Sequence, residues 1–166
     1  MTNGLPRRGF LGSCALTLTA LFTGGWRSAS GSFLARTAGP GDPPEIPNDE
    51  VRDAIRLRFG DRPIRTGHVS LDMPLVAEDG RAVPVIIESD LPMAADNYVK
   101  GVHLFVDHNP DVHVAGYELT PAIGPVSLTT RIKMRRSCWV RAMIETSGGE
   151  VWAGYANVKV TLNGCG

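Results

Sequence analysis

The chain has 166 residues, with seventeen basic and seventeen acidic side chains and therefore a formal net charge of zero, so nothing in its balance drives it toward nucleic acid. A hydrophobic content of 43 % supplies one core and argues against a disordered chain, while 19 Gly and 12 Pro between short apolar runs favour strands joined by turns. Cys14, Cys138 and Cys165 are too scattered for a C-x-x-C zinc knuckle or redox couple.

The first 30 residues read as a targeting segment. Arg7 and Arg8 are followed by Phe10, Leu11 and an apolar run ending near Phe22, the pattern of a twin-arginine signal peptide. The run is too short for the ~20 residues that span a bilayer. Ser28, Ala29 and Ser30 offer a cleavage region, and export to the periplasm is expected with no membrane anchor. Leu11-Gly12-Ser13-Cys14 looks like a lipoprotein box but precedes the apolar run, which disfavours a lipid on Cys14. Residues 31–47, rich in Gly and Pro, read as a flexible linker.

A domain is expected over residues 48–162. Asn48 is placed to cap a helix with Asp49 and Glu50 at its positive end; Val51, Ile55 and Phe59 recur every four residues, and Gly60 stops it. From Gly67 the period becomes two. Strands are predicted at 68–73, from Val83 to Ile87 after the turn Glu78-Asp79-Gly80, and from Val102 to Val106 before the turn Asp107-His108-Asn109-Pro110. Others follow around 112–119, 126–134 and 137–146, and a hairpin turn at 147–150 leads into a last strand ending at Leu162. About seven short strands with one helix predict an all-β, immunoglobulin-like antiparallel sandwich. Cys138, Val140, Ala142 and Ile144 share the core-facing parity of their strand, and Trp139, Arg141 and Glu145 share the other. Cys138 thus reads as a small buried hydrophobe.

The last four residues, Asn163-Gly164-Cys165-Gly166, follow that strand as a short arm. Three residues carry the Cys165 Cα up to roughly 10 Å past Leu162, and the neighbouring glycines add no bulk. An unperturbed thiol has a pKa near ~8.5 and is mostly protonated at neutral pH. No histidine follows Cys165, which disfavours a copper site or a self-activated nucleophile. The chain therefore reads as a non-catalytic carrier with no cofactor, whose Cys165 thiol is activated by whatever protein binds the arm.

Thr129-Thr130-Arg131-Ile132-Lys133-Met134 and the ending from Val158 to Gly166 resemble the SoxY family, sulfur-carrier subunits of the bacterial thiosulfate-oxidising Sox system. Val76 to Val85 and His108-Asn109-Pro110 add to the likeness. The resemblance implies an immunoglobulin-like sandwich paired with a second β-sandwich subunit, SoxZ. It also implies that Cys165 matches the carrier cysteine of a terminal Gly-Gly-Cys-Gly-Gly, with Asn163 in place of the first glycine and one glycine fewer at the end. In the family a cytochrome complex loads thiosulfate oxidatively onto that sulfur, a dimanganese hydrolase releases sulfate, and in many systems a sulfane dehydrogenase oxidises what remains. Asn163, Gly164 and Gly166 supply the arm's freedom in this reading.

Two alternatives stay open: an exported adhesion or assembly module, and a carrier of the same kind serving another periplasmic oxidation. A thiol or redox enzyme is disfavoured by the lack of a second reactive cysteine. His68, His103, His108 and His113 fit no compact ligand spacing and read as solvated surface side chains. Arg131, Lys133 and Arg135 share a strand face with Arg136 beside them, either a solvated face or a guide for anions or an acidic partner.

Overall fold

The structure is a computed structural model that describes residues 43–162; Asn163, Gly164, Cys165 and Gly166, the signal segment and most of the linker lie outside the described residues. Helix α1 spans Asp49–Phe59. The Asn48 side chain accepts a hydrogen bond from the Val51 amide at 3.1 Å, and Gly60 ends the helix at φ 66°. Val51, Ile55 and Phe59 form its buried stripe, as their spacing predicts.

Nine strands follow: β1 Ile64–Thr66, β2 Val69–Asp72, β3 Val76–Asp79, β4 Val83–Ser89, β5 Val99–Val106, β6 His113–Glu118, β7 Val126–Ile132, β8 Cys138–Thr146 and β9 Val151–Leu162. One sheet has the order β1-β9-β8-β5-β6 with β3 also on β9; the other is β2-β4-β7. Seven strands, β2 and β4 to β9, make the expected antiparallel sandwich. The other two, β1 and β3, run parallel to β9 and cover the same edge of it at different heights. Between them the chain crosses into the second sheet as β2. Gly154 of β9 lies under this crossing, where a Cβ would come within 2.7 Å of the Val69 carbonyl oxygen.

The sandwich interior holds Cys138, Val140, Ala142 and Ile144 of β8 with Val102, Leu104 and Val106 of β5, on the parity the sequence predicts. The opposite face of the same sheet is not left to solvent. α1 packs across it, forming a second core with Phe105, Met143, Val151 and Ala153. Arg141 is consequently buried, at 2 % exposure, although its strand position suggested the polar side. Its Nε and Nη2 donate to the two carboxylate oxygens of buried Asp107 at 2.6 and 2.8 Å. Nη1 and Nη2 also donate to the carbonyl oxygens of Pro44 and Glu45, so each guanidinium nitrogen has a partner.

His103 also departs from the solvated reading, being 1 % exposed beneath α1. Arg58 of the helix donates to its Nε2 from two nitrogens at 3.2 and 3.1 Å, and Glu118 in turn accepts from Arg58 at 2.8 Å. Such burial requires glycine on both neighbours. A Cβ on Gly101 would sit 2.9 Å from Nε2, and one on Gly116 would sit 3.0 Å from Nδ1. Desolvation, helped by the positive charge of Arg58, pushes the His103 pKa down to about 4, so the ring stays neutral at neutral pH. Of the other histidines, His68 is exposed and bonds Asp90 at 2.7 Å, while His113 packs beside His103.

Candidate functional site

The strand that leads to the arm is secured on both edges as far as Val160 and on one edge up to Leu162. On one side β8 pairs with it from Cys138, opposite Val158, and Ser137 extends the ladder with its side chain. The Ser137 hydroxyl accepts from the Val160 amide at 2.8 Å and lies 3.3 Å from the Val160 carbonyl oxygen. On the other side β3 pairs in parallel from Val76–Lys159 to Asp79–Leu162. The Lys159 amide donates to Leu75, and the Thr161 hydroxyl donates to the Glu78 carbonyl. The root of the arm is thus a fixed point on a rigid sheet, and chain geometry alone limits Cys165 to roughly 10 Å from Leu162.

A second feature belongs to the same end. After β7 the chain passes through Lys133 and Met134 and bends at residues 135–137 before β8 begins. Asn109, nearly buried in the β5–β6 turn, holds it there: its amide nitrogen donates to the Lys133 carbonyl at 2.6 Å and its oxygen accepts from the Arg135 amide at 2.9 Å. The Met134 amide donates to Gly80 at 2.7 Å, and Met134 and Ile132 point into the core. Arg131, Lys133, Arg135 and Arg136 are all exposed, but β7 ends at Ile132, so of the stripe expected on one strand face only Arg131 lies on a strand. Sequence reasoning did not single out Asn109 or Ser137 as supports of this end. The only signal was the position of Asn109 in the turn Asp107-His108-Asn109-Pro110.

Cys138 provides the internal contrast. Its side chain is buried in the sandwich core and desolvation raises its thiol pKa, which keeps it protonated and unreactive. Among the described residues no group of three or more His, Cys, Asp or Glu side chains is arranged to hold a metal ion. Neither is there a helix among them long and apolar enough to cross a membrane.

Fold and site together define an immunoglobulin-like sandwich whose last strand is clamped at the edge of the domain and continues into a cysteine-bearing tail. Residues 55–165 match the family described as Sulfur oxidation protein SoxY, and the chain belongs to that family. Among solved structures it is similar to the sulfur carrier protein SoxY from Chlorobium limicola f thiosulfatophilum, with 24 % identity and a TM-score of 0.58 over 69 % of this chain and 98 % of that one. It is also similar to a superoxide reductase (neelaredoxin) from Ignicoccus hospitalis, at 15 % identity and a TM-score of 0.51, covering 57 % of this chain and 80 % of that one. At these identities both structures speak for the fold alone. No curated protein matches the chain.

Proposed function

We propose that this protein is a periplasmic sulfur carrier, exported by the twin-arginine route, that holds thiosulfate-derived intermediates covalently on Cys165. The observation that carries the reading is the match to the SoxY family running through Cys165, on a strand clamped up to Leu162. In loading, the Cys165 sulfur forms an S–S bond with the outer sulfur of thiosulfate, the thiol proton is released, and two electrons pass to a haem-bearing partner. The product is a cysteine S-thiosulfonate with one negative charge. Water attack at its sulfonate sulfur then breaks the S–S bond to that group, releasing hydrogen sulfate and leaving a persulfide on Cys165.

The carrier's part in these steps is presentation rather than catalysis. The thiol needs no resident cofactor, because the oxidant and the hydrolytic metal centre belong to the partners. A SoxZ-type β-sandwich subunit is the expected companion, with a Sox cytochrome complex, a sulfate-releasing hydrolase and in some systems a sulfane dehydrogenase as visitors. Asn163, Gly164 and Gly166 give the arm its freedom in this reading, and Cys138, buried and protonated, is not a second loading site. Intact mass spectrometry after incubation with thiosulfate and the cytochrome complex tests the proposal. A reductant-labile thiosulfonate on Cys165 is expected, and a chain that stays unmodified, as an adhesion module would, overturns it.

A further inference from the structure

The described residues contain thirteen lysines and arginines, Arg52, Arg56, Arg58, Arg62, Arg65, Arg81, Lys100, Arg131, Lys133, Arg135, Arg136, Arg141 and Lys159. Eight of them, everything outside 131–136 and 159, have a carboxylate within ion-pair distance. The five that have no described carboxylate partner are Arg131, Lys133, Arg135, Arg136 and Lys159, and all are exposed. Four of them follow closely in the chain as it passes from one sheet to the other, and Lys159 lies on the strand beside the end of that passage. Residues 131–136 run from the end of β7 to the start of β8, Ser137 bonds both backbone groups of Val160, and Lys159 is the residue before it. Two exposed carboxylates, Glu78 on β3 and Asp111 in the β5–β6 turn, leave the surplus of exposed charge at this end positive on a chain of zero net charge.

Among the described residues, the cations without a carboxylate partner are thus confined to 131–136 and 159. The connection that carries Lys133, Arg135 and Arg136 is held in place: Asn109 and Gly80 fix its backbone by three hydrogen bonds. We infer that this basic cluster is a docking surface for an acidic protein surface, the rim around the opening through which a partner enzyme admits the arm. The inference rests on the carrier reading, and it adds the site and the chemistry of recognition. An arm of four residues keeps its cysteine within roughly 10 Å of the sheet, so the enzyme's rim must come up against the arm's root for the thiol to enter. Cations placed at that root meet the rim first. They act mainly by steering the encounter, which raises the association rate and makes it salt-dependent, and leave the covalent chemistry untouched.

The test measures association of the purified chain, with whatever subunit accompanies it, with the thiosulfate-loading cytochrome complex by stopped flow at about 0.02 M and about 0.3 M salt. The variant replaces Arg131, Lys133, Arg135 and Arg136 with Gln, and a second variant replaces the three arginines with Lys. The Gln variant should associate about tenfold or more slowly at low salt, lose most of the salt dependence and melt within a few degrees of the parent, while the Lys variant keeps the parent's rate. Equal rates and salt slopes for parent and Gln variant, or no association by the parent, would overturn the inference. It is equally overturned if the Gln variant binds the complex normally but, relative to the parent, reacts more slowly at Cys165 with dianionic dithiobis(nitrobenzoate) and at an unchanged rate with neutral iodoacetamide. The cluster would then serve small anions. Failure of the carrier reading looks different: salt-dependent association persists in the parent, yet no adduct forms on Cys165.

Discussion

The two regions of this molecule treat charge in opposite ways. Beneath α1 every charge is matched: Arg141 with Asp107, Arg58 with Glu118 and His103, and Arg62 and Lys100 with Glu145. At the end that bears the arm, five cations point outward without a described carboxylate partner. The first arrangement fastens a helix to a sheet, where unpaired charge would be costly. The second leaves charge available to something outside the domain, because exposed cations contribute little to stability. Substitutions should therefore damage folding in the first region and association in the second.

The largest effect is expected from Asp107→Ala. It strands the Arg141 guanidinium in a buried site and removes a bidentate pair, at a cost of about 3–5 kcal/mol in urea unfolding. A loss below about 1 kcal/mol would mean that the helix-covered face is wetter than described.

The next effect comes from pH. His103 is neutral in the folded protein down to about pH 4, whereas in the unfolded chain it takes up a proton below its ordinary value of 6.5. The unfolded state therefore binds more protons between those limits. Stability is fully present above pH 6.5 and falls as the pH drops toward 4, by about 2–3 kcal/mol at most from this group. Unfolding at pH 7 and pH 4.5 should show a drop that is much reduced in His103→Gln. If the variant keeps the full slope, another group is responsible.

A smaller loss, about 1 kcal/mol, is expected for Cys138→Ala, which removes a sulfur from a packed core position without touching the arm. Smallest of all is the effect on melting of the four Gln substitutions at the basic cluster. Their consequence is in the association rate.

Much of this contrast was legible in the sequence, and what escaped has a common cause. α1 was readable from Asn48, a four-residue apolar spacing and Gly60, and the longer strands from period-two alternation. Both signals are local. β1 and β3 are short and pair only with the edge of β9 far along the chain, which no local pattern announces, and the turn expected at Glu78-Asp79-Gly80 falls partly on β3. The burial of Arg141 and His103 was likewise hidden. Alternation tells which residues share a face, not whether a helix 45 residues away in sequence, as Arg58 is from His103, will cover it. The stripe at Arg131, Lys133 and Arg135 was visible as a pattern, but the ion pairing of every other described cation, which sets it apart, is a property of the fold. As for the candidate site, Cys165 is proposed from its place three residues after the last strand and lies outside the described residues; the structure adds the paired strand that precedes it.

The most direct test of the account compares the parent chain with Cys165→Ser after exposure to thiosulfate and the cytochrome complex, using intact mass and thermal melting on the same samples. The parent should gain one thiosulfonate that reductant removes, and the Cys165→Ser variant should gain nothing while melting at the same temperature. An adduct that persists in the variant, or that maps to Cys138, would contradict the account.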